Sequence, residues 1–204
     1  MHRYVSNKSY FIKVLIALTV LTLLVNCLLV PLFSKLVEEL QKILEPSMYP
    51  FLVCLSVGFS SFFAIFYALF DNFVWKILPV FNKQKINGVY HCEGKSYHED
   101  GTSHDWDGII TIKQTWSKIL VTLKTESSFS QSYMANIDVL DSGIIKLYYF
   151  YRNEPKDDKH DLKKHEGTAI ITFNDASVCG SYYNNPSERH KYGSLNLNKL
   201  EKKR

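Results

Sequence analysis

Two N-terminal transmembrane helices followed by a cytosolic eight-stranded antiparallel up-and-down β-barrel is the architecture the sequence predicts, and three observations predict it. The 204-residue chain is strongly apolar up to about Phe81 and polar beyond it, rich in Thr, Tyr and Ser. The apolar part holds two long uncharged runs, which read as membrane helices. The polar part abandons the helical period for alternation and is cut by turn clusters. The expected domains are therefore residues 1–81, with helices over about 11–33 and 47–70 and a juxtamembrane linker, and residues 82–204, long enough for one barrel with its own core.

Composition removes several function classes. The net charge is only +4, and after Phe81 basic and acidic residues nearly balance. A general nucleic-acid binder carries a basic stripe and a much higher isoelectric point, so no DNA or RNA partner is expected. The 4 cysteines form no CxxC: Cys27 and Cys54 lie in apolar runs, and Cys92 and Cys179 stand alone in strand-like segments. Reduced thiols in a reducing compartment follow.

The first uncharged run spans Val14 to Leu32, extended by Phe11, Ile12 and Phe33. The second covers Pro46 to Phe70. Each is long enough to cross a hydrocarbon core of about 30 Å at about 1.5 Å per residue. A cleaved signal peptide fits the first run poorly, since its apolar region is normally about 7–15 residues and no small-residue cleavage site follows. A lipoprotein reading of "LLVNC" places Asn26 where a small residue belongs. Arg3, Lys8 and Lys13 precede the first span, and Lys76, Lys83 and Lys85 follow the second beside Trp75, which suits an interfacial anchor. The intervening Ser34–Glu45 is not basic overall. The positive-inside rule thus places both termini of a multi-pass membrane protein in the cytoplasm. Ser34–Glu45, with Leu36, Val37, Leu40, Ile43 and Leu44 at helical spacing, reads as a short amphipathic helix on the outer leaflet. Gly58, Ser60, Ser61 and Ala64 form a small-residue patch that is either ordinary membrane-helix composition or a packing face.

After Lys85, eight segments read as strands: Gly88–Gly94, Trp106–Thr115, Lys118–Thr125, Ser128–Asp138, Gly143–Asn153, Glu166–Asn174, Ser177–Tyr183 and His190–Asn198. The lysines set the faces. Lys118 and Lys124 send Ile119, Val121, Leu123 and Thr125 inward; Lys113 does the same for Ile110, Ile112 and Gln114, and Lys146 for Leu147, Tyr149, Tyr151 and Asn153. Short sequential links favour closure into a barrel over a two-sheet sandwich. The end nearest the membrane linker then gathers Ile112, Ile119, Val121, Ile137, Leu147, Ile171 and Leu197. The far end gathers Trp106, Thr125, Ser128, Ser130, Tyr151, Asn153, His165, Tyr182 and Arg189.

A polar, aromatic mouth of this kind has a definite chemistry. Tyr and Trp rings stack on a base at about 1–3 kcal/mol each, and an arginine fork matches phosphate oxygens. Between Arg3 and Arg204 the arginines are Arg152 and Arg189. Alternation turns Arg152 outward, so Arg189 is the better phosphate contact. The candidate ligand-binding residues are Trp106, Thr125, Ser130, Tyr151, Arg152, Asn153, His165, Tyr182 and Arg189. Pattern alone leaves open a barrel simply filled by its tyrosines. No catalytic residue is expected: Ser103–His104–Asp105 is contiguous and reads as a loop, not a convergent triad. No metal is expected either, since His160 with His165 and His98 with His104 lack supporting ligands.

The ordered segments "GVYHCEG", "SYHEDG", "WDGIITIKQTWSKILVTLKTESSFS", "LYYFYRNEP", "LKKHEGTA", "GSYYN" and "YGSLNL", behind two spans, resemble the two-transmembrane β-barrel effectors of bacterial CBASS antiphage systems. The resemblance covers nearly the whole chain. It implies no cofactor but a ligand, a cyclic dinucleotide or related cyclic oligonucleotide made by a partner CD-NTase. It further implies homo-oligomerisation among membrane lipid, membrane disruption and abortive infection. The alternative from another class is a membrane-tethered barrel that binds a lipid or small apolar molecule without killing activity.

Overall fold

The computed structural model describes residues 1–4, 8–43, 59–98, 100–156, 164–184 and 192–200. These fall into two compact units, Lys8–Val74 and the remainder, Met1–Asn7 with Trp75–Arg204.

The first unit is helical. α1 runs unbroken from Lys8 to Ile43 with Pro31 inside it. It is long and apolar enough to cross a membrane by length and composition. Leu21, Leu23, Leu24, Leu28 and Leu32 point away from the protein. The expected break after Phe33 is absent. Residues Ser34–Ile43 are mostly strong helix formers without a glycine stop, and a Glu39–Lys42 ion pair (2.6 Å) braces the last turns. Polar groups inside α1 bond back to their own backbone: Thr22 Oγ1 donates to Leu18 O (2.7 Å) and Asn26 Nδ2 to Thr22 O (3.1 Å). The second expected helix is represented by α2, Phe59–Leu69, which packs on α1 and continues as a π-helical turn, Phe70–Val74. The first part of that expected span, up to residue 58, lies outside the described residues, as do parts of the small-residue patch.

The second unit is the barrel. A helical turn, Trp75–Ile77, and a 3-10 segment, Pro79–Gln84, lead into it. Trp75, expected at an interface, is fully buried. The barrel strands are β2 (Gly88–Tyr97), β3 (Ser103–Gln114), β4 (Lys118–Thr125), β5 (Ser128–Val139), β6 (Ile145–Pro155), β7 (His165–Phe173), β8 (Val178–Asn184) and β9 (Tyr192–Lys199). Each pairs antiparallel with its sequence neighbour, β9 returns to β2, and β4–β5 pairing completes the closed ladder. The eight-stranded up-and-down barrel expected from the sequence is borne out. The first hairpin is longer than expected. Gly101, at φ 81, makes the turn and Asp100 Oδ1 accepts the Thr102 N–H (2.9 Å), so pairing continues to Tyr97↔Ser103. Ser103, His104 and Asp105 are therefore strand residues rather than a loop.

A strand that the sequence reading missed, β1 (His2–Arg3), joins the sheet at the seam. β4 pairs with β5 at Thr122–Lys124 only. Beyond that, β5 bulges between Ser132 and Met134, and the Val121 N–H is taken by the Ser132 hydroxyl (2.9 Å) instead of a backbone carbonyl. β1 then pairs with Lys118 and Ile119, occupying the edge that β5 leaves.

The near end, where β2 begins, is sealed by an amide. Gln114 Nε2 donates to Tyr4 OH (2.6 Å) and to Gln84 O (2.8 Å), while Gln114 Oε1 accepts the Ile86 N–H (3.0 Å). One buried side chain thereby ties the N-terminal strand, the linker and the barrel wall together. Ile112, Ile119, Val121, Ile137, Leu147 and Ile171 fill the space above it. Replacing Gln114 by Leu removes these bonds while keeping the bulk and strands the Ile86 N–H. The variant is expected to lose about 2–4 kcal/mol of barrel stability, read by denaturant unfolding of the detergent-solubilised chain; an unchanged midpoint contradicts the clamp.

Candidate functional site

Alternation along the closed ladder decides what the far end holds, the end where β2 passes to β3 and β6 to β7. Trp106, Thr125, Ser130, Tyr151, Asn153, His165 and Tyr182 all occupy inward positions there. Arg152 does not. It sits on the outer wall and donates through Nε (3.1 Å) and Nη2 (2.8 Å) to Glu166 Oε1, its cross-strand neighbour. Its guanidinium stays charged, held there by that hydrogen bond and by the Glu166 charge. Arg189 lies outside the described residues.

Around the wall, the inward residues divide by chemistry. From β3 through β2, β9, β8 and β7 to β6 runs an aromatic arc of Trp106, Tyr182 and Tyr151. Trp106 and Tyr182 meet edge to face, centroids 6.0 Å apart. Their polar atoms converge on Ser96: the Trp106 indole N–H donates to Ser96 Oγ (3.1 Å) and reaches Tyr182 OH at 3.3 Å, and Ser96 Oγ and Tyr182 OH share a 2.5 Å hydrogen bond. Tyr151 OH donates to Asn184 Oδ1 (2.6 Å). The remaining wall, β4 and β5, carries hydroxyls: Thr125, Ser128, Ser130 and Ser132. Two of these are committed to structure. Ser132 ends the β4–β5 ladder, and Thr125 Oγ1 accepts the Ser128 N–H (3.0 Å) to close the turn. Ser130 and Asn153 face each other across β5 and β6, and His165 faces Asn153 from β7, forming a polar row nearer the rim.

Ser96 and Asn184 were missed by the sequence reading. Ser96 lies beyond the expected end of its strand at Gly94, and Asn184 one residue beyond the expected end at Tyr183; extending each alternation would have found them.

Beneath the arc the interior excludes charge. Burial raises the Tyr151 and Tyr149 phenols above their ordinary value, pushes Tyr90 up to about 12, and pushes the Cys92 thiol up to about 12 with Asp107 and Glu93 adding to it. No group of acidic, His and Cys side chains capable of holding a metal ion occurs among the described residues.

A family model described as the Cap15 cyclic dinucleotide receptor domain matches residues 82–199, which hold β2 to β9. The chain belongs to that family. It is also 36% identical over 143 residues to CD-NTase-associated protein 15 of Yersinia aleksiciae, a match covering 66% of this chain and 66% of the relative. The chain thus aligns with just under two thirds of that relative's length. The resemblance to CBASS effectors carried by the ordered segments is borne out by both matches. The match ends at Lys199, the last residue of β9, so the receptor domain and the closed ladder share their C-terminal limit.

The raised values fix a pH dependence. These phenols and the thiol are neutral in the folded barrel and return to ordinary values, 10.0 and 9.0, on unfolding. The folded state therefore holds extra protons above that range, so the stability they confer is complete below about pH 9 and is lost through about pH 12. Thermal melts of the detergent-solubilised chain across this range are expected to fall steadily; a flat profile contradicts the neutral interior.

Proposed function

We propose that this chain is a membrane-anchored receptor-effector of bacterial antiphage defence. In this reading the far end of the barrel takes a cyclic dinucleotide or related cyclic oligonucleotide, and occupancy drives the chain into oligomers that disrupt the inner membrane. The observation that carries the reading is the coincidence of two things. The receptor-domain match covers the barrel, and the inward residues at one end of that barrel are an aromatic arc facing a hydroxyl wall.

The chemistry is that of a base-bearing anion. Trp106, Tyr182 and Tyr151 offer ring faces for stacking at about 1–3 kcal/mol each. Ser130, Asn153 and His165, in a row across three strands, offer hydrogen bonds suited to ribose and phosphate oxygens. Arg189, in the connection between β8 and β9, supplies the fork for phosphate. Arg152, on the outer wall and paired with Glu166, is not assigned this role. The role read here is binding, in keeping with the receptor-domain description of the matched family.

The chain paths at the near end supply the coupling. β1 is held in the barrel and α1 begins at Lys8, four residues after Tyr4; the second helical path enters through Trp75 and Pro79–Gln84. In this reading the helices are anchored in the membrane, both termini are cytoplasmic and the barrel lies in the cytosol. Ligand favours an assembled state only through tighter binding to it. A hundredfold preference contributes about 2.7 kcal/mol per site, and several sites together switch assembly sharply.

Full-length protein in detergent, titrated with cyclic di-GMP, cyclic di-AMP, cyclic GMP–AMP and cyclic di-UMP, tests this. At least one should bind and enlarge the particle. Trp106→Ala and Tyr151→Ala should each weaken binding about tenfold, as loss of one stacked ring predicts, and Arg189→Ala should weaken it and flatten its salt dependence. Binding of fatty acid or phospholipid with indifference to every cyclic dinucleotide would replace this reading with the apolar-ligand one.

A further inference from the structure

Three glycines sit where the aromatic arc meets the wall. By ladder register Gly94 is opposite Trp106, Gly193 opposite Tyr182 and Gly167 opposite Tyr151. All three are buried and point inward. None has a positive φ; that conformation is confined to Gly101 and Gly143 among the described residues. Backbone conformation therefore gives no reason for glycine at these positions.

Space gives the reason. A Cβ at Gly94 would fall inside the Trp106 indole, and its three nearest atoms would all be indole atoms. At Gly193 it would meet the Tyr182 ring and the Lys95 carbonyl; at Gly167, the Tyr151 phenol and the Tyr183 carbonyl. Each ring thus lies against the bare backbone of the next strand. One or two levels lower on the same three strands the inward residues carry side chains: Cys92, Leu195 and Ala169. Other inward glycines lie lower in the barrel, but at Gly108 and Gly180 a Cβ would meet aliphatic side chains or backbone rather than a ring of the arc.

Resting on the reading of the far end as a cyclic-dinucleotide site, we propose that Gly94, Gly167 and Gly193 are its positioning residues. Their missing side chains let the rings lie along the wall instead of across the barrel axis. A ring along the wall leaves the axis clear for a flat guest, with the half-buried Trp106 the most open of the three, Tyr151 and Tyr182 being nearly fully buried. A ring pushed off the wall would occupy the guest's own volume. Cross-strand glycine–aromatic pairs also stabilise sheets, so the test must separate placement from fold.

Gly94 separates them best, because its conflict is with Trp106. In the full-length protein Gly94→Ala is expected to weaken binding of the best cyclic dinucleotide from the panel above about tenfold, while in a Trp106→Ala background the same change costs almost nothing further. Losses that simply add would overturn the proposal, since residues acting through one another are non-additive. A second readout needs no ligand. Trp75 is fully buried and Trp116 nearly so, leaving the half-buried Trp106 as the main quencher-accessible indole. Acrylamide quenching of tryptophan emission should rise in Gly94→Ala; unchanged quenching would overturn the proposal even if no probe binds wild type, an outcome that would separately sink the receptor reading. Should Gly94→Ala fail to fold, Gly94→Ala/Trp106→Ala should fold again, and a double variant that stays unfolded would overturn it.

Discussion

A closed eight-stranded barrel has room at each level for only a few inward side chains, so whatever they leave unfilled defines what can enter. The ladder imposes this by alternation, and here it treats the two ends differently. At the near end Ile, Leu and Val occupy the interior, and the Gln114 amide closes it against Tyr4 and Gln84. At the far end the same alternation brings in glycines, serines and rings. The chemistry of the site and the sealing of the opposite end both follow from that one constraint.

The seam shows how closure is achieved without a uniform ladder. β4 and β5 pair briefly, the Ser132 hydroxyl satisfies the first unpaired N–H, and β1 covers the edge beyond. A buried donor left without a partner costs about 1–3 kcal/mol, so these substitutions for backbone bonds are energetically significant. They also place the extreme N-terminus in the barrel wall, a few residues before the long apolar helix. The segment that seals the barrel is thus the one that leads into α1.

Much of this was legible. The spacing of Lys113, Lys118, Lys124 and Lys146 fixed which residues face inward, and alternation put Arg152 outside, where Glu166 pairs with it. The unread parts have physical causes. β1 is two residues long and has no period to detect. The continuity of α1 past Phe33 depends on the good helix formers of Ser34–Ile43, which carry no glycine stop. The extension of β2 to Tyr97 hides behind a polar turn whose Gly101 and Asp100 hold it tight, and with it hid Ser96. Gln114 was placed inward correctly, yet its three partners are distant in sequence, and no pattern along one strand reveals a contact of that kind.

The central claim is that the guest occupies the far end, between the rings of β3, β8 and β6 and the polar row of β5 to β7. Ultraviolet crosslinking of the full-length protein to an 8-azido cyclic dinucleotide, followed by peptide mass spectrometry, tests it most directly. Adducts confined to peptides carrying Trp106, Tyr151 and Tyr182, and lost on competition with unlabelled ligand, are the predicted result. Competable adducts on the outer wall or beside Gln114 at the sealed end would contradict it.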